Sequence, residues 1–113
     1  MSFSRLGDYL DQMLTASDAR RFVDGMSKED FLADKRTQQA VIMSLVIIGE
    51  AAARIMDKHS EFIAGNPEIP WRGMRGMRNR VAHGYFDVNL DVVWDTAQTA
   101  LPDLLLRLER FCG

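Results

Sequence analysis

One cysteine, three prolines and two histidines in 113 residues exclude several kinds of architecture and chemistry. The lone Cys112 rules out an intrachain disulfide and fits a reducing cytosol. With only His59 and His83 as imidazoles, and no His–Glu or Cys–Cys pair at ligand spacing, no metal site is expected. No basic segment followed by an apolar run opens the chain, so no signal peptide is expected. The longest wholly apolar run, Leu45 to Gly49, is too short to span a bilayer, so no membrane association is expected. No stretch alternates apolar and polar residues long enough for a strand. What remains is a chain that is 47% hydrophobic with net charge −2, a composition ordinary for one globular domain spanning residues 1–113. A general nucleic-acid coat would be basic throughout; any such contact here must be local.

Nearly all of the sequence has helical periodicity. A first helix is expected from about Ser4 to Asp24, with Phe3, Leu6, Leu10, Met13 and Leu14 on one stripe, Phe22, Val23 and Met26 continuing it, and Gly25 as its stop. Ser27, three residues before Asp30, is a helix-start signal. A long helix should run from about Lys35 to Phe62, apolar over most of its circumference between Val41 and Ala53 and therefore central. Asn66-Pro67 to Pro70 breaks the chain before a short helix from Trp71. The last helix begins near Asn89, a good N-cap, and Pro102 should kink it. Seven methionines fit a role as gap-fillers between helices.

The segment Trp71–His83 holds four arginines (Arg72, Arg75, Arg78, Arg80) and no carboxylate. It carries +4 in a chain of −2, which leaves −6 on the other residues. A cationic patch on an anionic body, ending in a titratable imidazole, points to a phosphate-bearing partner. At about 100° per residue, Met74, Met77 and Val81 face the core with Trp71 at the margin, while Arg72, Arg75, Asn79 and His83 gather opposite. Arg78 and His83 are five residues apart, so their side chains diverge by about 140° on a straight helix. For both to grip one phosphate, either the helix ends or distorts before His83, with Gly84 as C-terminal cap, or a second copy supplies the complementary residue across a twofold axis. The second is favoured.

His83 can serve as general base or acid, and Arg78 can bind phosphate and stabilise a pentavalent transition state. RNA carries its own nucleophile, the 2′-hydroxyl, so such a site cleaves RNA without a metal and spares DNA. The residues alone also permit plainer readings: an arginine face as solvated surface, a histidine that favours a helix C-terminus, a tyrosine at position 85 that only packs.

Arg78, four residues, His83, one residue, Tyr85, with Asn79 directly after the arginine, resembles the signature of HEPN-domain proteins, and more narrowly the HepT toxins of HepT/MntA toxin–antitoxin modules. The resemblance spans nearly the whole chain, through Phe31-Leu32-Ala33-Asp34, Gln39-Ala40-Val41, Ile48-Gly49-Glu50-Ala51-Ala52, Pro70-Trp71, Val93-Trp94 and Leu101-Pro102-Asp103-Leu104. It implies an all-α, HEPN-like antiparallel bundle of four to five helices, a homodimer, and a cytoplasmic, prokaryotic endoribonuclease that uses neither metal nor cofactor. Carried over by position, Arg78 and His83 are the catalytic pair and Asn79 the polar residue beside them. Tyr85 matches the tyrosine that an MntA-like nucleotidyltransferase antitoxin modifies with AMP. Glu50, in a mainly apolar helix, needs a partner. It is either a structural ion pair or a support that orients an arginine of the motif. Arg72, Arg75 and Arg80 read as RNA-positioning charges. The rival from another class is a non-catalytic module that docks a nucleotidyltransferase or a nucleotide through the arginine face.

Overall fold

The computed structural model describes residues 2–84 and 88–112, and the side chains of 2–4, 82, 83 and 112 lie outside that description. Among the described residues every regular element is helical: α1 (Ser2–Ser17), a 3₁₀ turn (Asp18–Val23), α2 (Lys28–Leu32), α3 (Lys35–Lys58), α4 (Ser60–Gly65), α5 (Trp71–His83), α6 (Leu90–Asp95), a π-helical turn (Thr96–Ala100) and α7 (Leu101–Cys112). Four rods form an all-α bundle: α1, α3, α5, and α6 joined through the π turn to α7. The helix α3 is central, packed between α1 and α5, and α7 returns along α1.

Three helix starts are capped by side chains, at Ser27 and Asn89 as the sequence signals require and at Asp34 in addition. The Ser27 hydroxyl accepts the Asp30 N–H at 3.0 Å. The Asp34 carboxylate accepts the Thr37 N–H at 3.1 Å and the Thr37 hydroxyl at 2.6 Å. The Asn89 side chain accepts from the N–H groups of Asp91 and Val92. Each satisfies donors that an α-helix otherwise leaves open at its N-terminus. Gly25 stops the first segment with φ +75°, where a Cβ is strained.

Three expectations need correction. The first helix ends at Ser17 rather than near Asp24. Ser17 is fully buried and its hydroxyl donates to the Met13 carbonyl at 2.7 Å, after which the chain tightens into the 3₁₀ turn. That turn buries Ala19 and Val23 but leaves Phe22 exposed, so Phe22 does not extend the apolar stripe. The long helix breaks at His59, short of Phe62. Redirected into α4, Phe62 meets Trp71 at 6.0 Å and Phe111 at 5.2 Å between ring centroids, both edge-on. In the last helix Pro102, which has no N–H, leaves the carbonyl one turn back without its donor. The chain absorbs this as the π turn, in which Leu101 N–H donates to the Thr96 carbonyl five residues back.

By length and composition α3 is apolar enough to cross a membrane. Val41, Ile42, Leu45, Ile48, Ala52 and Ile55 are nevertheless buried inside the bundle, as in the core helix of a globular fold.

The Thr37 hydroxyl first, and then the Thr37 N–H, hold the Asp34 carboxyl below its ordinary value of 3.8. A depressed carboxylate stabilises the fold above its unfolded pKa and loses that contribution as pH falls through the lowered value. The stability advantage of the native chain over Asp34→Asn should therefore be full above pH 3.8 and fade below it, read from thermal unfolding midpoints across a pH series.

Candidate active site

The motif helix α5 starts immediately after Pro70, whose carbonyl accepts the Met74 N–H at 3.1 Å. Trp71 anchors its first turn. The indole is buried, not marginal as its wheel position suggested, and donates to the Asn66 carbonyl at 3.0 Å. Met74 and Val81 are buried and Met77 partly so, as the wheel requires. Gly84 closes α5, its N–H donating to the Arg80 carbonyl at 3.0 Å. Its φ of −145° is negative, so it does not use the left-handed region.

The backbone of α5 is helical through His83. The first way of joining Arg78 to His83 within one chain, an early end to the helix, is therefore not taken. Helical geometry separates the two positions by about 140° around the axis and about 7.5 Å along it. The His83 side chain and all of Tyr85 lie outside the described residues.

What positions Arg78 comes from the central helix. Gly49 on α3 faces α5 so closely that a Cβ there would overlap the Arg78 Cβ and stand 2.7 Å from the Met74 carbonyl oxygen. This absence of a side chain brings the next residue, Glu50, alongside Arg78, and Glu50 Oε1 accepts a hydrogen bond from Arg78 Nη1 at 2.5 Å. The Arg78 side chain is 24% exposed and that of Glu50 45%, so the pair contributes at most about 1 kcal/mol. Arg78 Nε is buried with no partner among the described residues, which costs about 1–3 kcal/mol. Stability therefore does not explain why an arginine stands here. The geometry does: one edge of the guanidinium is fixed by a carboxylate at the partly exposed margin between α3 and α5.

The other motif residues divide around α5. Arg72 and Asn79 are exposed and Arg75 partly so; of the three, Arg75 is the helical neighbour of Arg78, one turn earlier, and Arg72 and Asn79 lie further round the outward face. Arg80 points to a different flank, where it lines a cavity with Met77, Val81, Val88 and Val92 beside the start of α6. The structure thus brings Glu50 to Arg78, places Arg72 beside Met56 and Trp71 at the start of α5, and places Arg80 apart, with Arg75 and Asn79 on the outward side of the helix. Met43 and Ile47, exposed at 59% and 39%, share the outer face of α3 with Glu50. Sequence reasoning missed Gly49 as the contact that sets the site. Its signal was a glycine among bulky residues directly before the helix's first carboxylate.

Among the described residues no three His, Cys, Asp or Glu side chains cluster as metal ligands. Residues 14–111 match the family described as Ribonuclease HepT-like. The chain is 41% identical over 104 residues to the "Probable ribonuclease HepT" of Thermococcus cleftensis, covering 91% of this chain and 92% of that protein. It is 36% identical over 104 residues to a provisionally named RNase of Methanocaldococcus jannaschii, covering 92% and 81%. A further provisionally named RNase, from Caldanaerobacter subterraneus, is 38% identical over 82 residues, covering 73% and 70%. No solved structure matches at a significant level.

Gly49→Ala should destabilise the protein. The added methyl meets backbone and a Cβ rather than a flexible tip, an overpacking cost of about 1–3 kcal/mol. The better helix propensity of alanine offsets about 1 kcal/mol of it. Gly76, whose added Cβ meets nothing within 4 Å, is the matched control: Gly76→Ala should gain up to about 1 kcal/mol. Denaturant unfolding of both variants checks the opposite signs.

Proposed function

The chain belongs to the HepT-like ribonuclease family, and from that premise we propose that it is a metal-independent endoribonuclease, the toxin of a toxin–antitoxin pair, active as a homodimer in the prokaryotic cytoplasm. The observation that carries this reading is Arg78, fixed by Glu50 and partly exposed on the same unbroken helix that ends in His83. His83 takes the proton of the RNA 2′-hydroxyl, and the freed oxygen attacks the adjacent phosphorus. Arg78 stabilises the charge that builds on the phosphoryl oxygens. The bond to the 5′-oxygen breaks, that oxygen is protonated, and a 2′,3′-cyclic phosphate remains on the upstream fragment. Glu50 is a positioning residue that aims Arg78; Asn79 lies one position further along the exposed side.

Because one helix holds Arg78 and His83 about 140° apart, the working pair is Arg78 of one copy and the histidine of the other. Exposed Met43 and Ile47, beside Glu50 on α3, give the second copy an apolar seat next to the site. Tyr85 is the off-switch. Its hydroxyl attacks the α-phosphate of ATP on a cognate nucleotidyltransferase antitoxin, releasing pyrophosphate and leaving AMP two residues from His83. That anion neutralises Arg78 and fills the place of the RNA phosphate.

In EDTA the native protein should cleave RNA, and Arg78→Ala and His83→Ala should each lose about 10²- to 10⁴-fold. Equal activity in all three removes the catalytic assignment and leaves the docking-module reading. An equal mixture of the two inactive variants should recover about a quarter of native activity, since half the dimers are mixed and each mixed dimer has one intact site. No recovery means a site within one chain.

Mass spectrometry after incubation with the nucleotidyltransferase and ATP should show AMP adducts that Tyr85→Phe abolishes. Adducts that persist in that variant exclude Tyr85 as the sole acceptor.

A further inference from the structure

The Glu50–Arg78 pair lies along the α3–α5 packing, whose surface differs in chemistry toward its two ends. Gly49 meets Met74 and Arg78, while Met56 shares a cavity lining with Trp71 and Arg72. Numbering rises along α3 as it falls along α5, so the two helices are antiparallel. From the Glu50–Arg78 pair, one direction leads along α3 to Ile47 and Met43, the apolar end. The other leads along α3 to Arg54, one turn or about 6 Å from Glu50, and along α5 to Arg75 and Arg72. Helix phase keeps Arg54 on the face of Glu50, and Arg75 on the side of Arg78. Arg54 is exposed, and neither it nor Arg72 nor Arg75 has an ion-pair partner among the described residues. The only carboxylates of α3 are Glu50, already engaged with Arg78, and Asp57.

By helix position three arginines from two helices thus stand toward one end of the α3–α5 pair, within about a Debye length of Arg78, where their mutual repulsion is incompletely screened. A polyanion relieves that repulsion, and phosphate matches the planar donor fork of arginine. We propose that this end is a second phosphate-binding subsite for RNA. Arg54, from outside the motif helix, acts with Arg75 and Arg72 to grip backbone phosphates on one side of the scissile phosphate at Arg78. The contacts are to backbone, so they position the strand without reading its bases. The proposal rests on the ribonuclease reading above and adds to it the side from which the strand is held.

The test uses the full-length protein and a single-stranded RNA oligonucleotide in EDTA. Arg54→Gln should raise KM about tenfold, the loss of one charge-assisted hydrogen bond, with kcat within about twofold of native. The slope of log affinity against log salt should shrink by about 0.7, one phosphate contact on a single strand. Arg36→Gln is the control. It removes the same charge from the same face of α3, about 27 Å away beyond the apolar end, and should change neither quantity. Asp57→Asn should tighten binding, which a merely structural role for this end would not produce. Equal effects from Arg54→Gln and Arg36→Gln, an unchanged slope, or no RNA binding at all would overturn the subsite. If native protein cleaves RNA while Arg54 is silent, the subsite fails and the ribonuclease reading stands. If RNA binds in an Arg54-dependent way but is not cleaved, the subsite stands and the ribonuclease reading fails.

Discussion

The approach of α3 to α5 at Gly49 is the constraint on which the site depends. A helix interior normally disfavours glycine by about 1 kcal/mol relative to alanine. Here the missing Cβ lets two helices meet backbone to side-chain root, with Arg78 Cβ and the Met74 carbonyl occupying the space. The adjacent Glu50 is thereby set against Arg78 without a long side chain having to search for its partner. Packing fixes the separation, and the ion pair fixes the direction of the guanidinium.

The energetics divide the molecule into a part that holds and a part that acts. Phe31, Met13, Ile48, Ile55, Ile69 and Leu108 are fully or almost fully buried, and burial of such side chains is worth about 1.5–3 kcal/mol each. Against that background the Glu50–Arg78 pair contributes little, and the unpartnered Arg78 Nε works against stability. The core tolerates this because the cost falls on one residue at its margin. Such local inconsistency in an otherwise consistent fold is characteristic of functional positions.

Much of the architecture was legible because it rests on local rules. The caps at Ser27 and Asn89, the stop at Gly25, and the start of α5 after Pro70 are written in single residues whose backbone preferences act alone. The failures lie where tertiary packing overrides periodicity. The tightening after Ser17 depends on burying Ala19 and Val23, and the break at His59 accompanies the packing of Phe62 on Trp71 and Phe111. Neither has a nearby proline or glycine to announce it. In the candidate site, the divergence of Arg78 from His83 was readable from spacing alone. That Glu50 could orient an arginine of the motif was also readable, but which one was not, because 28 residues separate it from Arg78 and the link between them is a steric fit.

That separation also sets an order of events during synthesis. A chain leaving the ribosome completes α3, 24 residues long and apolar enough to resemble a membrane segment, while α5 and α7 do not yet exist. For that interval only α1 and the short elements after it can shield the apolar helix. Glu50 meanwhile waits without its arginine. The Glu50–Arg78 pair forms only when α5 docks, and α1 gains its second neighbour only with the last helix of the chain. A nascent chain therefore carries Glu50 and Arg78 as separate charges, and their pairing arrives only with the docking of α5.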